Sequence, residues 1–219
     1  YTPIKEFEWV DAGPIRLRLH HQERLVLSRV MPPLVQEAWA HLVKKYGVEP
    51  PNPVHIEVFP DPQTFAVRSI GLPNLGAHGI CFGKVITSRS PAAGDFNWAE
   101  VLWHELSHVF HIHLSKRRVP RWFSEGLAVY EATEGRPEWR RELDSVLLEH
   151  REASLLRGIE DFNLAFTRAR NTMEIVVAYY HASRVAEYIA ITHGWPTMRK
   201  MLEAWGRELE TEQVFQQAL

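Results

Sequence analysis

The sequence predicts an α+β fold, with an N-terminal sheet-bearing lobe over about residues 1–115 and a mainly helical C-terminal lobe over about residues 116–219. Within the first 90 residues, short segments alternate apolar and polar side chains, as half-exposed strands do. From Asn97 onward, apolar residues recur instead at helical spacing. A length of 219 residues suits one domain. We therefore expect a single domain whose two lobes face each other across a cleft.

Strands and helices are both predicted in the N-terminal lobe. Strands are expected over 15–20, 54–59 and 80–87, where the residues alternate or form short apolar runs. An apolar stripe predicts a helix over 29–46 that ends at Gly47. Asp61 is expected to cap a short helix that runs to Arg68. The glycine-rich segment 71–79 is predicted to be a loop.

Helices account for the C-terminal lobe in this prediction. The expected spans are 97–114, 122–133, 137–150, 172–193, 196–206 and 210–218. Asn97 or Asp95 is expected to cap the first of them. No further strand is predicted after Asn97, so the sheet belongs to the N-terminal lobe.

Composition and charge exclude several classes of protein. The chain has 25 Lys and Arg against 27 Asp and Glu, with no basic cluster, which argues against a nucleic-acid partner. No segment approaches the roughly 18 consecutive apolar residues that a membrane span needs. The one cysteine, Cys81, cannot form an intramolecular disulfide, and we expect it to pack as a small apolar residue.

The first residues carry no targeting segment, and the cellular compartment is therefore undecided. The chain begins at Tyr1 rather than at a methionine. We interpret it as a domain of a longer polypeptide or as a processed product, and other domains of that parent chain are expected partners.

The main chemical signal is the pattern His-Glu-Leu-Ser-His over residues 104–108. On a helix, His104 and His108 lie one turn apart on one face, so both imidazoles can bind one metal ion. The Glu105 side chain is rotated about 100° around the helix axis from that of His104, so it can reach a metal-bound water without coordinating the metal. The flanking residues are apolar, which predicts a buried helix whose ionisable groups need partners. This arrangement is typical of metal-assisted hydrolases.

A catalytic zinc site needs a third protein ligand and an open position for water. Glu125 is the preferred candidate, because its position 17 residues after His108 leaves room for a loop and a second helix. The adjacent Gly126 is expected to let that second helix approach the first closely. His111 competes for the role, since it shares the face of His104 and His108, but Glu125 is favoured.

The segments HELSH and PRWFSEGLAVYE together resemble the gluzincin metallopeptidases. The resemblance is to the peptidase MA-like domains that often accompany tetratricopeptide repeats, and it covers roughly residues 54–219. It implies a zincin-like fold, a Zn²⁺ cofactor bound by His104, His108 and Glu125, and hydrolysis of a peptide or protein substrate. The segment 79–84 lacks the glutamate with which related aminopeptidases hold a free amine, so an endopeptidase is expected.

Two catalytic residues follow from this resemblance. Glu105 is expected to act as the general base on the water and then to protonate the leaving amine. Related gluzincins place a tyrosine on a later helix, where it stabilises the developing oxyanion. Tyr179 is the candidate for that role, and Tyr180 is the alternative, because the two side chains point about 100° apart on a helix. The strand 80–87 is either the edge that receives an extended substrate or a plain core strand.

The roles of several other residues, and the function itself, stay open at this point. Glu131 either orients a ligand histidine or is a solvated carboxylate. His111 and His113 are expected near the metal shell or at the surface rather than as ligands. Two other functions compete with peptide hydrolysis: a catalytically silent zincin-fold domain that binds proteins, and a metallohydrolase that acts on a different substrate. The intact Glu105 argues against a silent domain.

Overall fold

A mixed sheet lies in the first part of the chain, and helices form the rest, so the protein is α+β, as predicted. The structure, a computed structural model, describes residues 4–73 and 75–219. The chain divides into two compact units, Tyr1–Phe110 and His111–Leu219. The strands of the first unit are β1 (Phe7–Ala12), β2 (Ile15–His20), β3 (Val54–Phe59), β4 (Gly79–Cys81) and β5 (Val85–Arg89).

The order of the strands across the described sheet is β1-β2-β3-β5-β4. β2, β3 and β5 run parallel to one another, with Ile15 opposite Val54 and Ile56 opposite Ile86. β1 and β4 pair antiparallel with β2 and β5, respectively. The alternation that predicted β2 and β3 places one set of side chains in the core. These side chains are completely buried: Ile15, Leu17, Leu19, Val54, Ile56 and Val58.

Two helices pack with this sheet, α1 (His21–Tyr46) and α2 (Pro62–Ile70). α1 begins at His21 rather than at residue 29, so the predicted start was wrong. Its first turns expose Leu25 and Val26 and show no apolar stripe, which is why periodicity missed them. Gly47 ends α1 in the left-handed conformation, as expected. The predicted cap of α2 is confirmed, since the Asp61 side chain accepts a hydrogen bond of 2.8 Å from the Thr64 amide.

The predicted strand over 80–87 is in fact a hairpin, formed by β4 and β5. Gly83 has a φ of 97° and turns the chain between them. The Gly83 amide lies 3.3 Å from the Cys81 sulfur, so the thiol contributes to the turn. Cys81 is only partly buried, which differs from the packed residue expected. On its outer side, β4 pairs with no strand of the described residues.

The remaining helices are α3 (Trp98–Leu114), α4 (Arg121–Gly135), α5 (Asp144–Glu152), α6 (Phe162–Thr167), α7 (Thr172–His193), α8 (Trp195–Gly206) and α9 (Thr211–Ala218). The Asn97 side chain caps α3 by accepting a hydrogen bond from the Glu100 amide, as expected. The predicted helix over 137–150 is shorter, because residues 137–139 form a 3-10 turn and α5 starts at Asp144. None of the helices among residues 4–73 and 75–219 has the length and apolar character that crossing a bilayer requires.

In the second unit, α4 packs closely against α7. A Cβ atom added to Gly126 would lie 2.4 Å from the backbone carbonyl of Ala182 on α7. The prediction that Gly126 brings α4 close to the helix of the histidine motif was wrong. Gly126 faces α7 instead, and the glycine fixes the spacing between α4 and α7.

Candidate metal centre

His104 and His108 lie one turn apart on α3, and both are half-buried. Their Nε2 atoms are 3.1 Å apart, and the two rings meet edge to face with centroids 4.7 Å apart. Two nitrogen ligands of a tetrahedral zinc, each about 2.0–2.1 Å from the ion, are separated by about 3.3 Å. The two imidazoles are therefore spaced as neighbouring ligands of one ion.

The backbone turns directly after α3. Lys116 and Arg117 both adopt left-handed conformations, with φ of 50° and 70°. The Arg117 amide donates to the Ile112 carbonyl, which closes the end of α3. Pro120 precedes the first residue of α4, where its fixed φ suits the start of a helix and its missing N–H costs little. This connection brings Glu125 into the second turn of α4.

Glu125 joins the two histidines. One ligand atom from each of His104, His108 and Glu125 lies within 4.8 Å of the others. The Glu125 side chain is 13% exposed, and Arg121, one turn earlier on α4, approaches its Oε1 at 3.3 Å. Two imidazole nitrogens and one carboxylate oxygen form a donor set that suits zinc, whereas Mg²⁺ and Ca²⁺ prefer oxygen ligands alone. The residues present therefore fit a three-ligand zinc site.

Glu105 lies beside the edge strand β4. The residue is 7% exposed. A Cβ atom added to Gly79 would lie 2.7 Å from the Glu105 Cγ and 2.9 Å from its Oε1. Gly79 thus lets the backbone of β4 pass directly over this carboxylate. Gly79 was predicted to lie in a loop, and this role was not predicted. The signal was present as a glycine at the start of a strand, a position that often marks close backbone approach.

His111 does not belong to the ligand group. Its Nδ1 lies 3.1 Å from the Ser124 Oγ, and its Nε2 lies 3.0 Å from Glu131 Oε2. His111 and Glu131 are completely buried. His113, by contrast, is exposed. Glu131 was expected to orient a ligand histidine or to be solvated. It does neither in these contacts, since the histidine that it binds lies one turn beyond His108.

The two tyrosines on α7 have different surroundings. The Tyr180 hydroxyl donates a hydrogen bond of 2.6 Å to Asp144, and burial together with this contact raises the pKa of Tyr180. Tyr179 is half-buried and packs edge-on against Phe166, with ring centroids 5.1 Å apart. The guanidinium of Arg121, the residue that approaches Glu125, lies over the ring of Phe166, with its Cζ 5.6 Å from the ring centroid.

Tyr179 also lies one helical turn before Ala182, the residue that faces Gly126. Of the two tyrosine hydroxyls, that of Tyr180 is bonded to Asp144.

Comparison with known proteins identifies no family. No protein-family model matches the chain, and no curated protein matches it.

Proposed function

We propose that this protein is a zinc-dependent peptidase of the gluzincin type, with a zincin-like fold, that cleaves peptide bonds within a chain. The observation that carries the proposal is the grouping of His104, His108 and Glu125, whose ligand atoms lie within 4.8 Å of one another. These residues come from the two segments whose spacing in the sequence predicted a shared ion.

His104 and His108 would hold zinc through ring nitrogens, and Glu125 would hold it through a carboxylate oxygen. When bound, zinc supplies Lewis acidity that lowers the pKa of a coordinated water toward about 7. Three protein ligands leave one tetrahedral position open, which is the pattern of catalytic rather than structural zinc.

Glu105 is the proposed general base. It follows His104 directly on α3, so it points about 100° away from the ligand direction and does not compete for the ion. Its carboxylate would accept a proton from the attacking water and would return that proton to the leaving amine nitrogen. The contact with β4 at Gly79 limits the space that this side chain can occupy.

The outer edge of β4 is the proposed binding edge for the substrate. β4 pairs with no strand of residues 4–73 and 75–219 on that side, so its backbone groups there can pair with an extended peptide. Backbone pairing selects an extended conformation rather than a terminus. An endopeptidase is the activity that fits this edge.

Tyr179 is the proposed donor to the substrate carbonyl oxygen as negative charge develops on it. Its hydroxyl would donate a hydrogen bond there, a contribution of about 3 kcal/mol for donors of this kind. Because the Tyr180 hydroxyl already donates a hydrogen bond to Asp144, Tyr179 is the better candidate of the two.

Digestion of a peptide library by the wild-type protein and by Glu105→Gln tests the proposal. We expect the wild-type protein to cleave, and Glu105→Gln to keep its zinc and lose cleavage. His104→Ala should lose both. Glu149→Gln, which alters an exposed carboxylate on α5, serves as the matched control and should cleave normally. Zinc binding without cleavage of any peptide would overturn the peptidase assignment and favour a protein-binding domain or a different substrate.

A further inference from the structure

A second group of potential ligands lies at one end of the β1–β2 pair, in the first unit. Phe7 and His20 are directly opposite each other at the end of this antiparallel ladder. Glu6 precedes Phe7, and His21 follows His20 as the first residue of α1. The register of the two strands therefore brings Glu6, His20 and His21 together, although Glu6 and His20 are 14 positions apart in the sequence.

The contacts in this group resemble those of a metal site. One ligand atom from each of Glu6, His20 and His21 lies within 4.8 Å of the others. The Glu6 Oε2 atom is 3.2 Å from the His20 Nε2 atom. That distance matches the edge of about 3.3 Å between two ligands of a tetrahedral zinc.

The ring of His21 is held in the form that binds metals. Its Nδ1 lies 3.2 Å from the backbone carbonyl of Glu6, which can only accept a hydrogen bond, so Nδ1 carries the proton. The other nitrogen, Nε2, then keeps its lone pair. Metal-ligating histidines commonly donate their second ring N–H to a carbonyl in this way.

His20 has unused hydrogen-bonding capacity. The residue is 5% exposed, and its Nδ1 atom has no hydrogen-bond partner among the described residues. The contact with Glu6 is on the Nε2 side of the ring, so no hydrogen bond to Nδ1 fixes the tautomer and Nε2 can present its lone pair to an ion. Glu6 and His21 are more exposed than His20, which gives an ion access from solvent.

We propose that Glu6, His20 and His21 form a second divalent metal site, which takes zinc through one nitrogen of each ring and one oxygen of Glu6. Two imidazoles and one carboxylate suit zinc and the late first-row metals. The site ties the 3-10 turn Ile4–Glu6 to the junction of β2 and α1, so its role is structural. It shares no residue with the proposed catalytic centre.

Metal titration of the untagged, metal-depleted protein tests this site. We expect the wild-type protein to bind about two equivalents of zinc, measured by competition with a chromophoric chelator. Glu6→Gln and His21→Ala should each weaken one equivalent by at least about tenfold. His104→Ala should lose the other equivalent and keep this one. Cobalt in the His104→Ala variant should show the visible absorption of a low-symmetry site.

His193→Ala is the matched control, because His193 is also exposed and lies outside both groups. It should bind zinc as the wild-type protein does. If His21→Ala and Glu6→Gln bind as much zinc, and as tightly, as the wild-type protein, the second site does not exist and the Glu6–His20 contact is only an ion pair. If instead the proposed catalytic zinc site does not exist, the result is different, because His104→Ala would then leave the zinc content unchanged.

Discussion

The side chains of His111 and Glu131 meet inside the second unit, with Nε2 3.0 Å from Oε2 and neither residue exposed to solvent. His111 lies on the last turn of α3, and Glu131 lies on α4. The same ring contacts Ser124, the residue before Glu125. This buried group therefore joins the end of α3 to the part of α4 that carries the proposed third ligand.

Removal of Glu131 should destabilise the protein strongly. Glu131→Ala leaves the buried ring of His111 without this hydrogen-bond partner, and a buried polar group left unsatisfied costs about 1–3 kcal/mol. We expect a fall of that size in the free energy of unfolding, measured by urea denaturation. Glu131→Gln, which can still bond to the ring, should cost less. Glu149→Ala, at an exposed position, should change stability by less than about 0.5 kcal/mol. Equal effects of Glu131→Ala and Glu149→Ala would contradict the prediction.

The approach of β4 to Glu105 gives a second prediction. Gly79→Ala would force a Cβ atom to within 2.7 Å of the Glu105 Cγ and 2.9 Å of the Val101 Cγ1, so the carboxylate must shift. We expect turnover to fall by about tenfold to a hundredfold, because small displacements of a reacting group carry penalties of this order. Zinc content should stay unchanged, since the three heavy atoms nearest to this Cβ belong to Glu105 and Val101 and not to a proposed ligand.

Gly76→Ala is the matched control for this variant. A Cβ atom added to Gly76 would meet no other atom within 4 Å. Its turnover should equal that of the wild-type protein. If Gly79→Ala were equally active, the position of Glu105 would not depend on the close passage of β4.

Periodicity in the sequence was sufficient for the regular elements that bury one face. β2 and β3 alternate cleanly, and α3, α4 and α7 carry continuous apolar stripes, so their spans were predicted closely. The strand β1 was missed because its exposed and partly exposed residues follow no alternation. The short helix α6 was missed because six residues carry too little periodicity.

Contacts between residues on separate helices could not be predicted from the sequence. The spacing of His104, His108 and Glu125 suggested a shared ion, since helical geometry relates the first two directly. No local rule shows that Gly126 faces Ala182, a residue 56 positions away, rather than α3. In the same way, the pairing of Glu131 with His111 depends on how α4 packs, which the sequence of either helix does not specify.

The contrast between Tyr179 and Tyr180 gives a third prediction. Tyr179→Phe should lower turnover by about a hundredfold, as loss of one oxyanion donor does, with zinc content unchanged. Tyr180→Phe removes the hydrogen bond to Asp144 and should lower stability by about 1 kcal/mol with little effect on turnover. Steady-state kinetics and urea denaturation of both variants separate the two roles. Full activity of Tyr179→Phe would remove this residue from the mechanism.

His181 on α7 gives a prediction about pH. Its ring packs against Phe162, with centroids 4.6 Å apart, and burial lowers the pKa of His181 below its ordinary value of 6.5. Between the lowered pKa of the folded state and about 6.5, the unfolded chain binds more protons than the folded protein. The contribution of His181 to stability is therefore full above about pH 6.5 and declines on acidification through that window, until both states are protonated.

The measurement compares the wild-type protein with His181→Gln by urea denaturation at about pH 7.5 and about pH 5.5. Titrations of the other histidines occur in both proteins and largely cancel in the difference. We expect the stability of the wild-type protein relative to His181→Gln to be greater at the higher pH. His193→Gln, at an exposed position on the same helix, should show no such change. The opposite result would be a difference in free energy of unfolding, wild type minus His181→Gln, that increases on acidification. It would mean that the protein stabilises the charged form of His181, which its apolar contact with Phe162 does not predict.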